Sequence, residues 1–98
     1  MAKELEFHPQ AALELEAATD WYLERSPRAA RQFVDEVTRA IDSIVETPKR
    51  WPGGLGETRR FLLKRFPFAI IYREESLMIQ IVAVAHGRRR PGYWKDRL

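Results

Sequence analysis

The sequence has 98 residues, a formal net charge of +3, no cysteine and two histidines. This length suits one domain with a single core, which we expect to span residues 1–98. Without cysteine the chain has no disulfide, thiol nucleophile or cysteine-ligated metal, and two isolated histidines are too few for a histidine-rich metal site. We therefore expect no metal and no other cofactor. No signal peptide or apolar run of about 20 residues is present, so the protein is expected to be soluble and cytoplasmic, with no membrane partner.

The charge is divided unevenly along the chain. Residues 1–58 contain 7 Lys or Arg against 11 Asp or Glu, whereas residues 59–98 contain 10 against 3. A basic half of this kind indicates an acidic or phosphate-bearing partner. Arginines that only solvate a sheet edge and its loops would give the same balance, so both interpretations stay open here.

The first part of the chain predicts a strand followed by a helix. Residues 5–7 alternate in polarity, and Pro9 suits the first turn of a helix because its missing N–H needs no partner there. From residue 10 to about residue 24, Ala11, Leu15, Ala18 and Tyr22 fall on one helical face. The acidic residues of the other surface are expected to be solvated, and these are Glu14, Glu16, Asp20 and Glu24.

A second helix is predicted immediately afterwards. Ser26 is a favoured N-cap residue, and Pro27 suits the first helical position. Seven apolar residues between Ala30 and Val45 follow the spacing of a core-facing stripe. Pro48 ends the helix, because the residue before a proline is disfavoured in helical conformation. The short link between the helices predicts an antiparallel hairpin.

The last part of the chain predicts a small sheet. Three β-rich runs, at residues 58–64, 66–73 and 77–86, follow a loop rich in proline and glycine. Their connections are too short for crossover helices, so we expect an antiparallel meander. The expected fold is α+β with the order β-α-α-β-β-β, in which a helical hairpin packs on one face of a small, mostly antiparallel sheet.

Polar residues gather at the end of the third run and beyond it. His86 is the only near-neutral acid or base of the C-terminal half, Tyr93 can supply a second proton, and Arg89 can hold a phosphate. These three are the candidate catalytic residues for RNA cleavage without a metal. A second set is expected to bind nucleic acid or another target, and its members are Arg59, Arg60, Lys64, Arg65, Arg88, Arg90, Trp94 and Arg97.

Several of these residues also have a structural interpretation. A histidine at a strand end often makes only local hydrogen bonds, and Trp94 has the size and apolarity of a packing anchor. The other large aromatic residues of the first half are interpreted as core or loop-pinning residues, and these are Trp21, Tyr22 and Trp51.

The order of elements and several short motifs resemble the RelE/ParE superfamily of bacterial type II toxins, which includes plasmid stabilisation system proteins. The motifs are Phe7-His8-Pro9, Ala30-Arg31-Gln32-Phe33, Arg59-Arg60-Phe61, the FPFAIIY run at residues 66–72, and Val84-Ala85-His86-Gly87-Arg88-Arg89 followed by Pro91, Tyr93-Trp94 and Arg97.

The resemblance implies a growth-inhibiting toxin that is neutralised by a cognate antitoxin, a segment of which is disordered when free and folds on the toxin. In this superfamily the ParE branch inhibits DNA gyrase, and the RelE branch cleaves messenger RNA in the ribosome. The resemblance to RelE-like sites indicates Arg60, Lys64, Arg65, His86, Arg89 and Tyr93. Where those sites have a pair of lysines before the meander, this chain has Lys49 and Arg50.

The sequence therefore leaves three possible functions. The first is a ParE-like inhibitor of DNA gyrase, the second is a RelE-like, ribosome-dependent endoribonuclease that needs no metal, and the third is a basic adaptor without toxicity.

Overall fold

The computed structural model describes residues 3–98 of the chain. In chain order the elements are strand β1 (Glu4–Phe7), helix α1 (Pro9–Arg25), helix α2 (Pro27–Glu46), strands β2 (Thr58–Leu62), β3 (Phe68–Glu74) and β4 (Met78–His86), and a short 3₁₀ turn (Lys95–Arg97). The order predicted from the sequence is confirmed. Neither helix of residues 3–98 has the length and apolarity needed to cross a membrane.

A single residue, Ser26, joins the two helices and caps both. Its backbone N–H donates to the carbonyl of Tyr22 over 2.7 Å at the end of α1. Its Oγ accepts a 3.1 Å hydrogen bond from the N–H of Ala29 in the first turn of α2. At the start of α1, Nδ1 of His8 accepts from the N–H of Gln10 over 3.0 Å. Side chains therefore satisfy N–H groups that a helix start leaves without an intrahelical partner.

The four strands form one sheet in the order β1-β4-β3-β2. The meander of β2, β3 and β4 is antiparallel, whereas β1 runs parallel to β4. Strand β1 pairs only with residues 78–81, so β4 continues past the end of its neighbour. A bulge at Val82 interrupts the pairing with β3, since Ile71 pairs with Ala83 and Tyr72 pairs with Ile81.

The helical hairpin covers one face of the sheet and forms the main core. Phe33 of α2 is fully buried, and its ring lies 5.2 Å from those of Tyr22 and Phe66. Tyr72 is also fully buried, and its hydroxyl donates to the carbonyl of Pro48 over 2.6 Å. Most of the apolar stripe predicted on each helix faces this core, but the prediction is wrong for Val34 of α2, which is 40% exposed.

The opposite face of the sheet carries a second, smaller apolar cluster. Trp94, which is 6% exposed, packs there against Ala69, Ile71, Val82 and Ala83. The segment after β4 thus folds back over part of the sheet face that lies away from the helices. This return brings the last residues of the chain beside the candidate site.

Candidate functional site

Two grooves meet at the end of β4, and each has a volume of about 500 Å³. We call the groove between α1 and β4 the helix-side groove, and the groove on the opposite face of the sheet the sheet-face groove. Residues of α1 that line the helix-side groove include Glu14, Ala18 and Trp21. The residues that line both grooves are Pro67, Phe68, His86, Arg89 and Tyr93. The three candidate catalytic residues therefore lie together, on the boundary between the grooves.

His86 is the last residue of β4, and its contacts are local. Its Nδ1 accepts a 3.0 Å hydrogen bond from the N–H of Arg88, and its carbonyl accepts one of 3.0 Å from the N–H of Arg89. Its ring packs edge-on against Phe68 at a centroid distance of 5.0 Å. A neutral imidazole that accepts at Nδ1 carries its proton on Nε2. His86 thus has one ring nitrogen left for a ligand while it closes the turn that carries the arginines.

The hydroxyl of Tyr93 donates a hydrogen bond to a carboxylate, so it is not free to act on a reacting group. The acceptor is Oε2 of Glu14, at 2.7 Å. Burial raises the pKa of Tyr93 above the ordinary value of 10.0, and the hydrogen bond to Glu14 raises this pKa further. A phenol in this state holds its proton throughout the neutral range. The sequence suggested Tyr93 as a proton donor, and the geometry favours a structural role for it.

Glu14 is the main difference between the sequence-based prediction and the structure. The expectation that this residue is solvated is wrong, because the side chain is 16% exposed and accepts hydrogen bonds from three residues. Its Oε1 accepts from the N–H of Val84 over 3.0 Å and from Nη1 of Arg97 over 2.9 Å. Its Oε2 accepts from Nη2 of Arg97 over 2.9 Å, beside the bond from Tyr93. Glu14 thus forms a bidentate ion pair, the geometry that an arginine and a carboxylate prefer.

The protonation of Glu14 is set by opposing effects. Burial raises the pKa of this carboxyl, but the hydrogen bonds from Arg97, Tyr93 and Val84 together lower it more, and the resulting pKa is below the ordinary 4.5. Glu14 is therefore ionised at neutral pH. The sequence contained one sign of this role, because Glu14 lies three residues after Ala11, at the margin of the buried stripe of α1.

Two members of the predicted binding set are held inside the fold. Arg97 pairs with Glu14 and also donates from Nη1 to the carbonyl of Val82 over 3.0 Å. Trp94 is buried against the sheet, in agreement with its alternative interpretation as a packing anchor. The Arg97 side chain lines neither groove, whereas Trp94 still forms part of the wall of the sheet-face groove.

Three further members of the set lie outside both grooves. Arg59 donates to the carbonyl of Trp51 over 2.8 Å. Lys64 and Arg65 lie after β2, where the Glu36 carboxylate accepts the N–H of each. The Nε of Arg65 is also 3.7 Å from that carboxylate. These three cations therefore do not contribute to the wall of either groove.

Three exposed arginines remain beside Arg89. Arg60 and Arg90 line the sheet-face groove, and Arg88 lines the helix-side groove. The guanidinium carbon of Arg89 itself lies 3.9 Å from the centroid of the Tyr93 ring. This distance is that of a cation stacked on an aromatic face. The site is therefore a group of exposed arginines around an ordered centre.

Trp21 is a surface residue that the sequence pattern did not reveal. It lines the helix-side groove and is 51% exposed, so its assignment to the core is wrong. The guanidinium carbon of Arg25 stacks over its ring at 3.7 Å. Tyr22 and Trp51 do pack against the main core as expected, the latter with its ring 4.7 Å from that of Phe61.

Comparison with known proteins identifies the class to which this fold and site belong. Residues 5–91 match the family model described as the ParE toxin of the type II toxin-antitoxin system, parDE. The chain belongs to this family of toxins, and so to the RelE/ParE superfamily that the motifs indicated. A search of curated proteins gives no match.

Two solved structures share the fold. One is described as the chromosomal ParDE TA system from P. aeruginosa, with a TM-score of 0.75, 22% identity, and coverage of 87% of this chain and 96% of that chain. The other is a mutant of the E. coli toxin RelE in the free state, with a TM-score of 0.62, 14% identity, and coverage of 90% and 86%. The α+β arrangement of a helical hairpin on a four-stranded sheet is confirmed by both.

The Glu14 cluster predicts a specific pH dependence of stability. In Glu14→Gln, urea denaturation at pH 7 should give a free energy of unfolding lower by about 2–3 kcal/mol, since amide hydrogens then face Arg97 and Val84. The pKa of Glu14 is lower in the folded than in the unfolded state, so its contribution is complete above pH 4.5 and is lost as the pH falls through the folded-state pKa. The difference between variant and wild type should therefore shrink at about pH 3.

The matched control for this measurement is Glu16→Gln, which changes an exposed glutamate on the same helix. This control should stay within about 0.5 kcal/mol of wild type at both pH values. An equal loss at pH 7 and pH 3 for Glu14→Gln would show that the charge of Glu14 contributes nothing.

Proposed function

We propose that this ParE-family chain inhibits bacterial growth by binding DNA gyrase, and that a cognate antitoxin neutralises it. Family membership supports the toxin class. One observation favours gyrase over messenger RNA as the target. The Tyr93 hydroxyl and the Arg97 guanidinium both form hydrogen bonds with Glu14. These are two of the groups that a nuclease could use, and their hydrogen bonds within the fold leave them unavailable to an RNA substrate.

Cleavage of RNA without a metal requires one group to take the proton of the 2′-hydroxyl and another to protonate the leaving oxygen. His86 has one ring nitrogen, Nε2, available for one of these steps. The pKa of Tyr93 is raised by burial and by Glu14, so Tyr93 is a poor partner in this chemistry. Arginines stabilise charge but do not exchange protons at neutral pH. The site is thus better supplied with cations than with acids and bases.

A binding function needs only a complementary surface, and the sheet-face groove provides one. Leu62 and Ile71 contribute apolar area to the groove, and Arg60, Arg89 and Arg90 supply positive charge. Arginine beside apolar surface is typical of residues that dominate protein–protein affinity. An acidic protein surface with apolar side chains fits this groove. The proposed gyrase contact is therefore made mainly through these arginines.

The alternative is a ribosome-dependent messenger-RNA endoribonuclease. It is favoured by the fact that His86, Arg60 and Arg89 line one groove, which puts a proton-transfer group among cations that can hold a phosphate. In this case His86 would be essential for growth inhibition. Under gyrase inhibition His86 closes a turn and is dispensable for the effect.

Purified gyrase provides the first test of the proposal. Adding the wild-type chain should stop DNA supercoiling, and Arg89→Ala should need about tenfold more protein for the same effect, because an exposed interface cation is lost. The matched control is Arg39→Ala, which removes an exposed arginine on α2, away from both grooves. This control should inhibit as well as wild type.

Two results would contradict gyrase inhibition. One is supercoiling that continues unchanged at every concentration of folded protein. The other comes from primer extension on messenger RNA from cells that briefly express the chain. New 5′ ends within translated codons, absent in His86→Ala, would select the endoribonuclease. Intact messages in cells that express the wild-type chain and in cells that express His86→Ala would exclude the endoribonuclease and support the binding function.

The antitoxin is proposed as a second partner of the same basic surface. The similar structure from P. aeruginosa is described as a ParDE TA system, which supports pairing of this chain with a protein of that kind. The excess of cations over residues 59–98 favours an antitoxin segment with acidic and apolar residues. Such a segment would order itself on the groove when it binds.

Binding of the cognate antitoxin should weaken with salt. Isothermal titration at increasing ionic strength, from about 0.05 to 0.5 M, should show at least about a tenfold rise in Kd, because exposed charges are screened over shorter distances. Arg39→Ala should follow the wild-type salt dependence, whereas Arg89→Ala should reduce it. A Kd that does not change with salt would show that the contact is mainly apolar.

A further inference from the structure

Arg89 is exposed, yet the aromatic ring beneath it is tightly held. The guanidinium carbon lies 3.9 Å from the centroid of the Tyr93 ring, and the hydroxyl of that ring donates to Glu14 over 2.7 Å. An arginine on a turn ordinarily samples many rotamers, and stacking on a fixed ring reduces that freedom. The direction of the Arg89 charge is therefore tied to the position of Tyr93.

The position of Tyr93 depends in turn on a carboxylate from another part of the fold. Glu14 belongs to α1, and its two oxygens are also held by the N–H of Val84 and by both Nη atoms of Arg97. Three hydrogen bonds thus fix the oxygen atoms against which the phenol is aligned. Arg89 lines both grooves, so its direction decides which of them receives its charge.

We infer that Glu14 is a positioning residue, which acts through the hydroxyl of Tyr93 to hold Arg89 at the boundary between the two grooves. Glu14 itself touches no target in this arrangement, because its oxygens are taken up by residues of the chain. Its effect on target binding passes entirely through the Arg89 side chain. This effect on binding rests on the proposed function, whereas the ordering of Arg89 does not.

The ordering is tested by NMR of the arginine side chains. In the wild-type chain, the protons of Arg89 near the Tyr93 ring should be shifted upfield by the ring current. Tyr93→Phe retains the ring but lacks the hydroxyl, and Glu14→Gln retains the shape but lacks the charge. Both variants should bring the Arg89 signals close to their free positions, and Glu16→Gln should leave them unchanged. If the shift persists in both variants, ring packing alone holds Arg89 and the inference is overturned.

A double-mutant cycle tests the effect on binding. In the supercoiling assay, normalised to folded protein, Glu14→Gln should lower potency about three- to fivefold in the wild-type background. In the Arg89→Ala background the same change should have no further effect, since the side chain through which Glu14 acts is already absent. A purely structural role would lower potency by the same factor in both backgrounds, and that result would contradict the inference.

The two readouts also separate this inference from the proposed function. A wild-type chain that leaves gyrase unaffected but shows the shifted Arg89 signals would refute gyrase inhibition and support the positioning of Arg89. Full inhibition with Arg89 signals at their free positions would refute the positioning and support gyrase inhibition. Tyr93→Phe keeps the Glu14 and Arg97 pair, so it remains informative if Glu14→Gln does not fold.

Discussion

The ionised carboxylate of Glu14 joins helix α1 to a distant part of the chain, strand β4 and the segment that follows it. It accepts a hydrogen bond from the N–H of Val84, where β4 extends past β1. It also accepts hydrogen bonds from the side chains of Tyr93 and Arg97, in the segment that follows the strand. A strand edge without a neighbouring strand leaves polar groups that need partners. Glu14 supplies one such partner, and Arg97 supplies another at the carbonyl of Val82. Side chains thus supply at this edge the hydrogen-bond partners that a neighbouring strand would otherwise provide.

This interaction also divides the basic residues of the C-terminal half into two groups. Arg97 is held by Glu14 inside the fold, and its positive charge is largely neutralised there. Arg89 remains outside, stacked on the ring that Glu14 holds. Charge composition alone cannot make this distinction, because it counts both residues equally. An arginine held on a rigid ring supports the proposed recognition of an acidic protein more than it supports proton-transfer chemistry.

The sequence predicted the features that depend on neighbouring residues. The apolar stripes of α1 and α2, the N-cap of α2 at Ser26 and the strand order of the meander all follow from local patterns. The RelE/ParE resemblance rested on such patterns, and it is confirmed by the family match over residues 5–91. The fold was therefore predictable to within a few residues at each boundary.

The arrangement of the site was less predictable, for a physical reason. The partners of Glu14 lie 70, 79 and 83 residues away in sequence, so its burial is decided by the tertiary fold and not by the helix that carries it. Trp21 shows the reverse case, since an aromatic residue in a helix was assigned to the core and is half exposed. Helical spacing shows that a residue borders the buried stripe, but the depth of the neighbouring groove depends on distant segments. The roles of Tyr93 and Arg97 could not be assigned for the same reason.

The most direct measurement is the titration of Tyr93 by NMR of a chain labelled with ¹³C at tyrosine, with its signal assigned from Tyr93→Phe. With Glu14 in place, the phenol should still be protonated at a pH above the ordinary tyrosine pKa of 10.0, where a free tyrosine has lost its proton. In Glu14→Gln the pKa should fall back toward that ordinary value. Ionisation of Tyr93 at or below pH 10 in the wild-type chain would contradict its engagement by Glu14 and would restore it as a proton donor at the site.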